Sequence, residues 1–162
     1  MLLILGKEEN RNMQTASREL LESLIELVAE ELGITPPRLH MADGSHTATK
    51  KAWIKMPAQE LFIKPNLPLN EAVLVVAHEL RHLYQLENGR YTDEIRDADN
   101  YIDSGENTTL YALQACEVDA NAFAEIVCED VLGMRPLWKP YPQEVKEAIA
   151  KRKQEILRDE YD

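Results

Sequence analysis

Apolar residues recur along this chain at helical and at strand-like spacings, and the changes between the two divide it into elements. Between residues 16 and 32, Leu20, Leu21, Leu24, Val28 and Leu32 return every three or four positions, which predicts a helix with one buried face. Gly33 supplies its stop, and Pro36 and Pro37 confirm the break. Three short stretches of strand-like composition follow, at 38–42, 50–56 and 60–64. Asp43-Gly44-Ser45 marks a turn after the first and Pro65 ends the third, so a small sheet with meander connections is expected. Helical spacing returns from Asn70 to Asn88, where Val73, Val76, Ala77, Leu80 and Leu83 give a buried face closed by Gly89. The stretch 91–107 is rich in Asp, Glu and Asn and reads as a polar loop. Two further helices are expected, over 109–132 and over 143–160, separated by Pro136, Pro140 and Pro142.

This order predicts an α+β fold, a small antiparallel or mixed sheet of three to four short strands packed on a helical core. With 162 residues, no repeat and no linker-like tract, residues 1–162 are expected to form a single domain large enough to bury a core. The net charge of −11 argues against nucleic acid as a partner, because phosphates would be repelled; it reads first as plain solubility and otherwise as suited to a basic protein or peptide. Met1-Leu2-Leu3-Ile4-Leu5 is too short for a signal peptide or a membrane span and reads as a strand; no other stretch suggests a membrane. Cys116 and Cys128 fall on one expected helix, about 18 Å apart, beyond disulfide reach. Free thiols that pack in the core fit a reducing, cytoplasmic setting.

The chemistry concentrates at His78-Glu79-Leu80-Arg81-His82. Residues four apart share a helix face, so His78 and His82 can aim two imidazoles at one metal ion. Zinc accepts such nitrogens at about 2.0–2.1 Å. Glu79 lies about 100° round the helix from His78, where its carboxylate can reach a water beside the metal without occupying the metal. A random chain of this length would show the motif about once in a few hundred cases, because histidine is scarce.

A catalytic zinc site needs a third protein ligand and an open position. His40 and His46 lie upstream, in strand or turn. The segment Glu117-Val118-Asp119-Ala120-Asn121-Ala122-Phe123-Ala124 is a better source, because it sets acidic residues in an otherwise apolar helix where a carboxylate needs a partner. Glu117 and Asn121 share a face, and Asp119 points nearly the other way. If Glu117 binds zinc, Asn121 can support a ligand histidine from behind. An oxyanion-stabilising group is sought among His46, Tyr91, Tyr101 and Tyr111, with none singled out.

Together, Ala77-His78-Glu79-Leu80-Arg81-His82 and Glu117-x-Asp119-Ala120-Asn121-x-Phe123-Ala124 resemble the ImmA/IrrE family of zinc metallopeptidases. The likeness covers about residues 50–130, including the strand Leu61-Phe62-Ile63 that leads into the motif helix. It implies a zincin-like, gluzincin-style domain in which His78, His82 and Glu117 bind Zn2+ and Glu79 is the catalytic acid and base. It also implies a protein or peptide substrate, since some members cleave repressor or regulatory proteins. Two departures stand out. Arg81 occupies a position where the family commonly has glycine, and would narrow the cleft, bind a substrate carboxylate or simply face solvent; Val127-Cys128-Glu129-Asp130 replaces the usual Leu-Met-Pro ending. No helix-turn-helix segment is evident. The alternative from another class is a catalytically silent zinc-binding interaction or sensor module, whose metal would be closed by a fourth protein ligand.

Overall fold

The computed structural model describes residues 15–41, 51–55, 58–91, 108–135 and 140–161. The expected strand at Met1–Leu5, the acidic loop beyond Tyr91, His46 and Tyr101 lie outside the described residues.

Helix α1 spans Arg18–Leu32. Ser17 starts it, its Oγ accepting from the Leu20 amide at 3.2 Å and so satisfying one of the first-turn donors that lack an intrahelical acceptor. Gly33 ends it at φ 68°, a left-handed conformation cheap only for glycine, and the Ile34 amide returns to the Ala29 carbonyl at 3.0 Å. The predicted apolar stripe is the buried face: Leu20, Leu21, Leu24, Val28 and Leu32 all lie in the core.

Strands β1 (Arg38–Met41), β2 (Ala52–Lys55) and β3 (Glu60–Ile63) form a mixed sheet in the order β1-β3-β2. The meander expectation is therefore corrected. β3 runs parallel to β1, with Leu39 opposite Leu61, and antiparallel to β2, with Ile54 opposite Leu61. The centre falls to β3 because it carries the two fully buried side chains of the sheet, Leu61 and Ile63, directed at the helical core. On the opposite face Phe62 stacks between His40 at 4.8 Å and Trp53 at 5.1 Å.

Helix α2, Leu69–Glu87, buries Ala72, Val73, Val76, Ala77, Leu80 and Leu83. The helix expected over 109–132 is broken into three pieces. Helix α3 (Thr108–Leu113) stops where Gln114 turns extended at ψ 138°; α4 (Ala115–Ile126) follows and continues into a π-helical turn, Val127–Val131. The Leu132 amide reaches the Val127 carbonyl at 3.0 Å to close that wide turn. Helix α5 spans Gln143–Glu160 and buries Val145, Ile149 and Ile156.

Helix α4 packs against both α2 and α5 and is buried on nearly every side. Ala120, Ala122 and Ala124 keep it slim enough for that position, while Phe123 fills the space between helices. Cys116 and Cys128 are buried and not disulfide-bonded, and burial pushes the Cys128 thiol up to about 12. Among the described residues no helix is long and apolar enough to cross a membrane.

Candidate metal centre

Two neighbouring helices bring three donors together. α2 presents His78 and His82 one turn apart, and α4 presents Glu117 from its first turn. The His78 Nε2 and His82 Nε2 atoms lie 3.1 Å apart. Glu117 Oε2 is 2.9 Å from His78 Nε2, and Glu117 Oε1 is 3.3 Å from His82 Nε2. Among the described residues these three form a group able to hold a metal ion. Tetrahedral coordination with bonds of about 2.0–2.1 Å places ligand atoms about 3.3–3.4 Å apart, so an ion fits with shifts of a few tenths of an ångström.

The hydrogen bonds behind the imidazoles decide which nitrogens face inward. His82 Nδ1 lies 2.8 Å from Gln85 Oε1. The orientation of that amide is fixed, because Gln85 Nε2 donates to the Cys116 carbonyl at 3.0 Å and to Asp119 Oδ2 at 2.8 Å. His78 Nδ1 lies 2.7 Å from Asn121 Oδ1, and the Asn121 side chain also hydrogen-bonds Tyr141. Both Nδ1 atoms therefore carry the proton, and in the neutral rings both Nε2 lone pairs point at each other and at the carboxylate. Lone pairs so close repel; a shared cation is what this donor set suits.

Without a metal, a proton takes the cation's part. Burial alone would lower the His82 pKa, but the hydrogen bond and charge of Glu117 outweigh it, with help from Glu79, and the imidazole is pushed up to about 9. Burial would likewise raise Glu117, yet the two imidazoles hold it well below the ordinary carboxylate range. Glu79 is half-buried on α2, about 60° round the helix from His82. Its charge acts on His82, so its carboxylate borders the ligand cluster.

Arg81 neither lines a cleft nor faces solvent, contrary to the sequence reading. It lies about 160° round the helix from Glu79 and is fully buried. Its Nε and Nη2 donate to Asp119 Oδ2 and Oδ1 at 2.8 and 3.0 Å. Its Nη1 and Nη2 donate to Glu160 Oε2 and Oε1, both at 3.0 Å. The guanidinium also stacks over Tyr84 at 4.4 Å and Phe123 at 5.0 Å. Asp119 accepts further bonds from Gln85 and from Arg152 Nε at 2.9 Å. Asp119 thus serves an ionic knot on the far side of α4, as its opposition to Glu117 implied.

The remaining candidates disperse. His40 sits in β1, 3.1 Å from Glu60 Oε1, and lines a groove of about 580 Å³ between α1 and β1 that contains none of the three donors. Tyr91 lies beside the ionic knot: burial and the Asp119 charge raise its phenol pKa, while Arg152, Arg90 and Arg81 oppose them. Tyr111 belongs to α3. Sequence reasoning missed Gln85 and Tyr141. A helical glutamine carries no signal by itself, although its position three residues after His82 placed it within reach of that ring. Tyr141 stands alone between Pro140 and Pro142, with no periodic pattern to mark it. Burial and the Glu117 charge raise its phenol pKa.

Two imidazoles and a buried carboxylate, with a second glutamate beside them, are the kind of donor set that hydrolytic metal centres use. The chain belongs to a family described as "Putative metallopeptidase family (DUF6782)", which matches residues 7–139. That span includes α1, the sheet, α2 and α4, and with them His78, Glu79, His82 and Glu117. No curated protein and no solved structure matches the chain.

Proposed function

We propose that this protein is a zinc-dependent peptidase of the gluzincin style, hydrolysing a peptide bond in a protein substrate. The observation that carries the reading is the convergence of His78 Nε2, His82 Nε2 and the Glu117 carboxylate, with both Nδ1 atoms turned away onto amide oxygens. His78, His82 and Glu117 hold the ion, and Asn121 orients His78. Zinc, when bound, supplies a Lewis acid that acidifies water and polarises a carbonyl. Glu79 takes the proton of the attacking water and passes it to the leaving amine. β2 is an edge strand of the described sheet and packs on α2, so an extended peptide would add along that edge to approach Glu79.

The motif likeness to ImmA/IrrE peptidases supports a regulatory protein as substrate, and two cysteines outside any disulfide support a cytoplasmic setting. Among the described residues no fourth His, Cys, Asp or Glu joins the cluster, which favours an open catalytic position over a closed structural one. The test is metal analysis of wild type, Glu79→Gln and Glu117→Ala, joined to a proteome-wide search for cleaved products. Glu79→Gln is expected to keep zinc and abolish cleavage; surviving cleavage would mean another base. Glu117→Ala is expected to lower zinc content sharply, and unchanged content would place the third ligand elsewhere. A zinc-loaded wild type that cleaves nothing would favour the silent interaction or sensor module.

A further inference from the structure

Gln85 is fully buried and makes three polar contacts, each to a different part of the site's surroundings. Its carbonyl oxygen lies 2.8 Å from His82 Nδ1. Its amide nitrogen is shared between the Cys116 carbonyl at 3.0 Å, one residue before Glu117, and Asp119 Oδ2 at 2.8 Å. An amide free to flip could offer His82 either a donor or an acceptor. This one cannot flip, because its nitrogen would then face the Nδ1 proton while its oxygen faced a carbonyl and a carboxylate. Asp119 is in turn held by Arg81 and Arg152.

We infer that Gln85 is a positioning residue of the metal centre: it fixes His82 as the Nδ1–H tautomer with Nε2 aimed at the ion, and the Cys116 carbonyl and Asp119 Oδ2 fix Gln85. The inference rests on reading His82 as a ligand. It adds a second orienting amide to that of Asn121 and shows why a glutamine, and not an aliphatic side chain, occupies a dry position on α2.

The experiment measures zinc affinity by chelator competition, and the visible spectrum of the cobalt-substituted protein, for wild type and three variants. Gln85→Met keeps the bulk and removes the acceptor; zinc is expected to bind about 10- to 100-fold more weakly, with an altered cobalt spectrum. Gln85→Glu keeps an acceptor for the His82 proton but sets a second carboxyl against Asp119. It is expected to lose thermal stability while holding zinc within a few-fold of wild type. Arg152→Met loosens the knot without touching Gln85, and is expected to lower stability with little effect on zinc. Affinity that follows stability across the three variants, or an unchanged affinity in Gln85→Met, would overturn the inference. A wild type that takes up neither zinc nor cobalt would instead overturn the ligand assignment on which it rests.

Discussion

At the scale of single residues, the three-donor cluster makes a proton and a metal ion competitors for one place. In the metal-free protein His82 holds a proton up to about pH 9, because Glu117 lies beside it. That folded-state pKa stands above the ordinary value of 6.5. The pair therefore adds stability that is complete below 6.5 and fades as pH rises through 9. A metal held as proposed would reverse this, because it takes the unprotonated ring. Zinc uptake at pH 7 is expected to release about one proton from His82 per ion, with the release falling away above pH 9. Calorimetry in buffers of different ionisation enthalpy measures it, and uptake without proton release at pH 7 would contradict the arrangement. Much of this centre could be read in the sequence. His78, Glu79 and His82 follow from helical geometry, and a carboxylate in an apolar helix announced that Glu117 needed a partner. Gln85 could not be read, because its meaning comes from Cys116 and Asp119 on another helix.

At the scale of elements, the two helices that carry the donors are fastened at the donor cluster, through Gln85, and at the buried pair Arg81–Asp119, whose side chains are 1% and 0% exposed. Removing one partner of a buried pair strands the other charge, at a typical cost of about 3–5 kcal/mol. Arg81→Met is expected to destabilise the metal-free protein by about that amount in urea denaturation. Arg81→Met combined with Asp119→Leu is expected to recover only part of the loss, because Arg152 and Gln85 then lose their acceptor. Strict additivity of the two substitutions would deny the coupling. The placement of Arg81 was open to calculation from the sequence, since its angle from Glu79 already set it on the other side of α2. The strand order was not. Strands of four residues carry too little alternation to fix their neighbours, and only the burial of both Leu61 and Ile63 puts β3 in the middle. Nor did any proline or glycine announce the break at Gln114 or the π-helical turn at Val127–Val131.

At the scale of the whole molecule, the ionic knot ties the last turn of α5 to the helix that carries both histidines. Glu160 accepts from Arg81 on α2 and from Arg90 just beyond that helix, the latter at 3.1 Å. Burial would raise the Glu160 and Asp119 pKa values, but their arginine partners overcome it and hold both below the usual carboxylate range. A lowered folded pKa contributes stability that is present above the unfolded value and is lost as pH falls through the folded one. The metal-free protein is therefore expected to lose stability as pH drops below about 4, where unfolded carboxylates take up protons. Glu160→Gln removes one charge from this knot while leaving an amide oxygen to accept. It is expected to destabilise the protein by about 1–2 kcal/mol near pH 7, where the lost charge counts. The difference from wild type should shrink on acidification, because protonated Glu160 and glutamine are then both neutral. Because α5 meets the histidine helix through Arg81 and not through a metal donor, the same substitution is expected to leave zinc content unchanged. Denaturation at pH 7 and pH 3, with metal analysis beside it, separates these effects. A penalty that grows in acid would place the stabilising role of Glu160 in packing and not in charge.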